Sequence, residues 1–150
     1  MANETRWQKI DVANKRLIMW GAADLCQVNY QILMALGCQI EALIDDTPNQ
    51  ASPFPLIPIY MSEKGLEKFI AENGIDDLGF VIAIGNPFGH IRLKLDALLK
   101  SRGLLPNSFA DPSALICKSV IFGDGLQVMP LAIVNNDVKI GKQCIINTRS

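Results

Sequence analysis

The stretch that decides the fold is residues 112–150, which read PSALICKSVIFGDGLQVMPLAIVNNDVKIGKQCIINTRS. Every sixth residue in it is apolar, which gives a first ladder of Ile116, Phe122, Val128, Val134, Ile140 and Ile146. A second ladder lies two positions earlier, at Ala114, Val120, Leu126, Ala132, Val138 and Cys144. Small or turn-forming residues follow several positions of the first ladder, namely Gly123, Asn135, Gly141 and Asn147.

A period of six residues fits neither an α-helix, which repeats about every 3.6 residues, nor a strand whose side chains simply alternate. It is typical of a solenoid in which each group of six residues forms one short strand and a corner. We therefore predict about two coils of a left-handed parallel β-helix, with the first ladder facing inward. The alternative is an ordinary β-meander that carries the period by chance.

Residues 1–111 follow a different rule, because strand and helix signals alternate along them. Short apolar runs predict buried strands over 16–20, 40–44 and 80–84, and 108–110 is a candidate for a fourth. Three helices are predicted: one from Asp24 to Leu36, one that begins after Ser62 as its N-cap, and one around Ile91 to Leu99. A glycine ends each of them. Such alternation predicts a small Rossmann-like parallel sheet, so that domains of residues 1–111 and 112–150 are expected.

One helical face of the first helix is expected to be buried, with Val28, Ile32, Leu33 and Leu36 on it. Residues 49–58 contain several prolines and are expected to be irregular.

The composition excludes several classes of function. A net charge of −1 provides no basic face for nucleic acid or anionic lipid. Residues 1–14 lack the apolar core of a signal peptide, and no apolar run is long enough to span a membrane. The four cysteines are scattered and never form a CxxC pair, which argues against a metal site and favours the cytoplasm.

The order of motifs resembles one branch of the hexapeptide-repeat acyltransferases, the sialic-acid O-acetyltransferase and bacillosamine N-acetyltransferase family. The matching features run from Lys15 to Ser150. They are the strand entering Gly21-Ala22, Ile44-Asp45-Asp46, residues 81–86 with downstream Arg92, Pro112-Ser113-Ala114, Val128-Met129-Pro130 and Ile145-Ile146-Asn147-Thr148.

The resemblance implies a trimeric enzyme that moves an acetyl group from acetyl-CoA to a hydroxyl or amine of a sugar or nucleotide-sugar. It also implies that the Rossmann-like domain holds the sugar substrate, and that acetyl-CoA lies in the groove between neighbouring β-helices. A histidine then acts as the general base, a role that suits an imidazole near neutral pH.

Two features depart from the family pattern. The family's histidine falls a few residues beyond Asn147-Thr148, whereas His90 is the only histidine here. We therefore expect a member truncated before its catalytic histidine, with no catalytic residue and no acetyl-CoA site in this chain. His90 is expected either near the ligand or at the surface. The first loop keeps only Gly21 of the usual glycines, which argues against NAD.

The candidate substrate-binding residues end or follow the predicted parallel strands, where open α/β sheets form their ligand crevice. They are Gly21, Ala22, Ala23, Asp24, Asp45, Asp46, Gly85, Asn86, Arg92 and Asn147. Asp24 places a negative charge where a phosphate would lie, and the helix cap is the favoured explanation of this aspartate. Asp45 and Asp46 could form a turn before Pro48 instead, and Asn147 could be a left-handed coil corner.

The leading hypothesis is the substrate-binding part of an acetyl-CoA-dependent sugar O- or N-acyltransferase. The alternative is a non-catalytic, truncated member that binds a sugar or nucleotide and self-associates, and a nicotinamide-dependent oxidoreductase is the weakest reading. We also expect a homo-oligomer, because an uncovered last coil exposes apolar interior and strand edges.

Overall fold

The computed structural model describes residues 6–150 as a parallel α/β unit joined to a three-sided coil. Residues 1–5 of the predicted first domain lie outside the described residues. The α/β unit contains β2 (Arg16–Trp20), α1 (Asp24–Ala35), β3 (Gln39–Asp45), β4 (Ile59–Met61), α2 (Ser62–Asn73), β5 (Leu78–Ile82), α3 (Gly89–Ser101) and β6 (Leu105–Pro106). The coil contains β7 (Phe109–Ala110), β8 (Leu115–Cys117), β9 (Ile121–Phe122), β10 (Gln127–Val128), β11 (Ile133–Val134), β12 (Lys139–Ile140) and β13 (Ile145–Ile146), with β1 (Trp7–Gln8) added at its edge.

The five-stranded sheet of the α/β unit has the order β4-β3-β2-β5-β6, and every neighbouring pair is parallel. This confirms the predicted α/β unit with a parallel sheet. Helix α1 packs on one face of the sheet through Ile32 and Leu33, whereas α2 and α3 pack on the other through Leu66 and Leu99. Both faces are therefore covered, which explains why the central strands are apolar throughout instead of alternating.

The ends of the helices follow the glycine rule. Gly37, Gly74 and Gly103, which follow the three helices, all have positive φ. A left-handed residue after the last turn is the common way to end a helix, and glycine adopts it without steric cost. The predicted helix ends are confirmed to within a residue or two.

Three details of the helices differ from the sequence prediction. Val28 is 41% exposed, and the buried face of α1 instead carries Cys26 and Asn29, because the coil covers that side of the helix. Ser62 is already the first residue of α2, and its hydroxyl makes no capping bond. Asp24 is the first residue of α1 and likewise makes no side-chain cap.

The coil is built from strand pairs that are parallel and eighteen positions apart. Phe109 pairs with Gln127, and Gln127 pairs with Ile145. The other two sides repeat this offset, with Leu115 opposite Ile133 and Ile121 opposite Lys139. Three sides at one offset mean that the chain returns to the same side after three groups of six residues, as the apolar period predicts. The left-handedness of the coil stays a prediction.

The first apolar ladder forms the interior of the coil. Ile116, Val128 and Val134 are buried, and Phe122, Ile140 and Ile146 pack against them. The coil starts at Phe109, ahead of the predicted start at residue 112, and its first strand therefore pairs with β10 and not with the α/β sheet.

The corners of the coil share one backbone conformation. Every sixth residue has positive φ, at Gly125, Leu131, Asp137, Gln143 and Arg149. The left-handed corner that the sequence suggests for Asn147 is thus found at Arg149. Three serine side chains also link successive coils by hydrogen bonds. The Oγ atoms of Ser108, Ser113 and Ser119 each accept a hydrogen bond from the backbone N–H group eighteen residues later, at 2.9–3.0 Å.

Candidate functional site

A crevice of about 600 Å³ opens at the carboxyl ends of β2, β3 and β5. Seven predicted substrate-binding residues line it: Gly21, Ala22, Ala23, Asp24, Asp45, Asp46 and Gly85. The remaining lining is apolar or neutral and consists of Trp20, Leu25, Thr47, Ala83, Ile84, Phe88 and Ile91. The structure thus brings together three loops that are far apart in the sequence, at the edge where parallel sheets bind ligands.

The first loop is shaped by the close approach of the neighbouring strand end. Gly21 has φ of +109°, and a Cβ atom there would lie 2.5 Å from the carbonyl oxygen of Ala83. Its N–H donates to the carbonyl of Ile44 at 2.7 Å. Gly21 is therefore required for packing at the floor of the crevice, independently of any role toward a phosphate.

Asp45 holds two loops of the crevice in place. Its Oδ2 accepts from the N–H of Ala22 at 2.8 Å, and its Oδ1 accepts from the N–H of Thr47 at 2.8 Å. The backbone N–H of Ala22 is thereby committed within the protein. The first loop therefore lacks one of the donors that a phosphate would use in a dinucleotide-binding loop.

Asp24 and Asp46 are exposed at the crevice and have no hydrogen bond or ion pair in the described structure. With Asp45 they place three carboxylates in the lining, which contains no lysine or arginine. Free carboxylate oxygens accept hydrogen bonds from hydroxyl and amine groups and repel phosphate. The crevice is thus suited to an uncharged or cationic part of a ligand.

A second cavity, of about 460 Å³, shares Trp20 and Asp46 with the crevice. It lies between the start of α2 and helix α3, and its lining includes Lys64, Leu95 and Leu98. The open space therefore continues across the edge of the sheet beyond Asp46, and its lining carries one basic side chain, Lys64, next to the acidic Glu63.

The other predicted site residues lie outside the lining of the crevice. Asn86 is exposed and precedes Pro87 through a cis peptide bond. Asn147 is exposed on the coil, where its carbonyl accepts from Ser150. His90 is exposed in the first turn of α3, between the lining residues Phe88 and Ile91, so both alternatives for this histidine stay open.

Arg92 is buried behind the crevice and does not line it. Its Nη1 donates to the carbonyl oxygens of Ile84 at 3.0 Å and Gly85 at 3.1 Å, and its Nε donates to the carbonyl of Gln143 at 2.9 Å. Burial lowers the pKa of the Arg92 guanidinium, and Cys144 opposes this shift. The hydrogen bonds of Arg92 in the described structure are thus all within the protein, and its assignment to the substrate stays a prediction.

Cys26 lies under the first loop and is fully buried. Burial raises the pKa of its thiol to about 12, and the carboxylate of Asp45 adds to the shift. Because the thiolate is the nucleophilic form of cysteine, this side chain is inert at neutral pH. Among residues 6–150 there is also no group of three or more His, Cys, Asp or Glu side chains that could hold a metal ion.

Two glutamines that no sequence motif singled out join the coil to the α/β unit. Buried Gln127 accepts from the Nδ2 of Asn29 on α1 at 3.0 Å and donates to the carbonyl of Ile82 at 2.7 Å. Buried Gln143 donates from Nε2 to the Oδ1 of Asp96 on α3 at 2.8 Å. The only available signal was a polar residue next to an apolar ladder position, which is not specific.

No protein-family model and no curated protein matches the chain. Solved structures do match. PerB from Caulobacter crescentus, in complex with CoA and GDP-perosamine, has a TM-score of 0.76 and 26% identity over 92% of this chain. A histidine-to-asparagine variant of perosamine N-acetyltransferase from the same organism has a TM-score of 0.77 and 27% identity over 92% of this chain.

The acetyltransferase domain of PglB from Neisseria gonorrhoeae FA1090, in complex with acetyl coenzyme A, has a TM-score of 0.72 at 20% identity over 91% of this chain, and this likeness concerns the fold alone. The chain spans 62% of the length of PerB and 63% of that of the PglB domain. None of the helices described in residues 6–150 has the length and apolar character to cross a membrane. Over most of its length, this chain has the fold of solved sugar acetyltransferases.

Proposed function

We propose that this chain is the substrate-binding part of an acetyl-CoA-dependent sugar or nucleotide-sugar O- or N-acyltransferase. The observation that carries the proposal is one continuous match, at 26% identity, to a CoA- and GDP-perosamine-bound structure across both the α/β unit and the coil. A crevice at the carboxyl edge of the sheet supports it, because seven residues that the sequence assigned to the substrate line that crevice.

The charge of the crevice limits how such a ligand would bind. Asp24 and Asp46 are free acceptors, which favours contact with sugar or ribose hydroxyls, an amine, or the N–H groups of a base. The phosphates of a nucleotide-sugar are expected to point away from Asp24. Lys64, in the adjoining cavity, is the basic side chain toward which they could turn.

The chemistry proposed for the whole enzyme is acyl transfer from a thioester. A general base removes the proton of the sugar amine or hydroxyl, the freed lone pair attacks the thioester carbonyl carbon, and the carbon–sulfur bond breaks to release CoA. Acetyl-CoA is the expected acyl donor, and it would lie along grooves between left-handed coils of neighbouring subunits in a trimer. The cytoplasm, where cysteines stay reduced, is the proposed location.

A non-catalytic, ligand-binding role of these 150 residues by themselves is the second candidate. This single histidine lies in α3 and not on the coil. We therefore expect the 150-residue chain to show no acetyltransferase activity with CoA thioesters and amino-sugar acceptors, while it still binds ligand. Turnover that survives a His90→Ala substitution would contradict the assignment of general-base catalysis to histidine.

The binding proposal is tested by NMR titration of the labelled chain with GDP-mannose, UDP-N-acetylglucosamine and the free sugars. We expect backbone amide shifts at residues 21–24, 45–46 and 85–86. Asp46→Asn should weaken binding about tenfold through loss of a charged acceptor, whereas Lys94→Gln, an exposed change on α3, should not alter it. Shifts confined to other residues would show that the ligand site lies elsewhere.

A further inference from the structure

The contacts of Arg92 connect the crevice of the α/β unit to a corner of the coil. On one side, Nη1 donates to the carbonyls of Ile84 and Gly85, both of which line the crevice. On the other side, Nε donates to the carbonyl of Gln143 at a corner of the coil. Arg92 is only 6% exposed, and no carboxylate pairs with its guanidinium in the described structure.

The acceptor residue on the coil is itself held tightly in position. The N–H of Gln143 donates to the carbonyl of Asp124 at 2.7 Å, on the preceding coil, and its side chain donates to Asp96 of α3. A Cβ atom at Gly125 would lie 2.1 Å from the Nε2 of Gln143, so the absence of a side chain at Gly125 makes room for this glutamine. The corner at Gln143 therefore has one well-defined place against α3.

A second connection lies beside the first, one to two turns further along α3, at Asp96 and Lys100. The Nζ of Lys100 donates to Asp96 at 2.8 Å and to Asp124 of the coil at 2.9 Å. Buried Asp96 thus accepts from Lys100 on its own helix and from Gln143 on the coil. Arg92, Asp96 and Lys100 follow each other at intervals of four residues and so share one face of α3.

We propose that Arg92 is a positioning residue for the Ile84–Gly85 side of the crevice. Because the same guanidinium also bonds to Gln143, the position of these two carbonyls depends on how the coil corner at Gln143 packs against α3. An arginine suits this task because its planar fork donates in several fixed directions, whereas a lysine ammonium at the same place cannot reach carbonyls on both sides. The shape of the crevice and the seating of the coil are then set by the same side chain. Only the ligand-binding arm of the test rests on the proposed function.

Hydrogen exchange of single amides tests the inference without any ligand. The N–H of Phe88 donates to the carbonyl of Gly85, and that of Gln143 donates to Asp124, so both amides report on the connection. In Arg92→Lys we expect both to exchange about tenfold faster, as for the loss of hydrogen bonds from a charged donor. The amide of Leu115, bonded to Ala132 on another side of the coil, should keep its rate. Unchanged rates, or an equal rise at all three amides, would overturn the inference.

A second pair of variants, at Asp96 of α3, leaves Arg92 in place and acts on the contact that seats Gln143. It covers the case in which Arg92→Lys does not fold. Asp96→Ala removes the acceptor of the Gln143 side chain and should also speed exchange at Phe88, although Asp96 does not line the crevice. Asp96→Asn keeps one of the two acceptor oxygens and should therefore raise the exchange rate less than Asp96→Ala does. Faster exchange at Gln143 with no change at Phe88 would overturn the proposal, because the coil would then not act on the crevice.

Titration with GDP-mannose forms the ligand arm of the test. Arg92→Lys and Asp96→Ala should each weaken binding about fivefold, the size of effect expected for residues that act through others. Lys94→Gln is the matched control on the exposed side of α3. A wild-type chain that binds neither GDP-mannose nor UDP-N-acetylglucosamine would refute the proposed function, whereas the exchange result would still decide the role of Arg92.

Discussion

At the scale of single residues, the strand end at Ala83 leaves no room for a side chain at position 21, so this position requires glycine. Gly21→Ala would place a Cβ atom 2.5 Å from the carbonyl oxygen of Ala83 and would strain a φ of +109°. We expect a loss of about 2–4 kcal/mol in the free energy of unfolding, measured by urea denaturation. Gly85→Ala is the control in the same crevice, because nothing lies within 4 Å of its added Cβ atom. Equal losses in both variants would contradict this account.

The adjacent carboxylates Asp45 and Asp46 should behave differently when each is replaced by alanine. Asp45→Ala leaves the N–H groups of Ala22 and Thr47 without their acceptor, so a loss of about 1–3 kcal/mol in unfolding free energy is expected. Asp46→Ala removes an exposed side chain without contacts and should change stability by less than about 0.5 kcal/mol.

Calorimetric titration with a nucleotide-sugar should show the opposite order for the same two variants. Asp46→Ala is expected to lower the affinity directly, because the carboxylate is free to accept from the ligand. A stability loss at Asp46 that equals the loss at Asp45 would show that the two roles have been assigned wrongly.

Only those site residues that directly follow a strand could be predicted from the sequence, because the apolar runs show where the strands end. Gly21 and the Asp45-Asp46 pair follow apolar runs, and the edge at which parallel strands end is common to all of them. The role of Arg92 could not be predicted, because its acceptors are backbone carbonyls, which the sequence does not distinguish. The contact with Gln143 further depends on how the coil packs against α3.

At the scale of elements, strand β11 offers a matched pair of neighbouring residues. Val134 faces the interior of the coil and is 5% exposed, whereas Ile133 faces outward and is 52% exposed. Val134→Asn buries a polar group without a partner and should cost about 2–4 kcal/mol of unfolding free energy. Ile133→Asn should cost less than about 1 kcal/mol in the same denaturation experiment. A reversed order would mean that the coil has another register.

The period of six residues predicted the coil well because each group of six residues forms one side of it. The same position in each group therefore faces the apolar interior. Short strands outside that period were harder to predict. Strand β4 follows a proline-rich segment, and β6 is two residues long and contains Pro106. For Ser108 to Ala110 the strand signal was correct but its partner was not, because so short a run carries no information on which sheet it joins.

At the scale of the whole molecule, the outer surface of the coil carries apolar side chains. Leu115 and Ile133 are opposite each other on one side, and Ile121, on the next side, is 66% exposed. Contiguous apolar surface of this kind favours association between copies of a chain. We therefore expect self-association at micromolar concentration in sedimentation velocity, and Ile133→Lys should shift the population toward the monomer. A wild-type chain that remains monomeric at every concentration would contradict this expectation.

The left-handed corners of the coil have a consequence for the durability of this protein. A side chain other than glycine, asparagine or aspartate in that conformation costs about 1–2 kcal/mol, and Leu131 is a solvent-facing example. Gln143 cannot be exchanged without loss of its bond to Asp96. Glycine or asparagine at position 131 would relieve strain at a corner that does not line the crevice. A substitution of this kind can therefore raise the thermal stability of the coil without changing the residues that line the crevice.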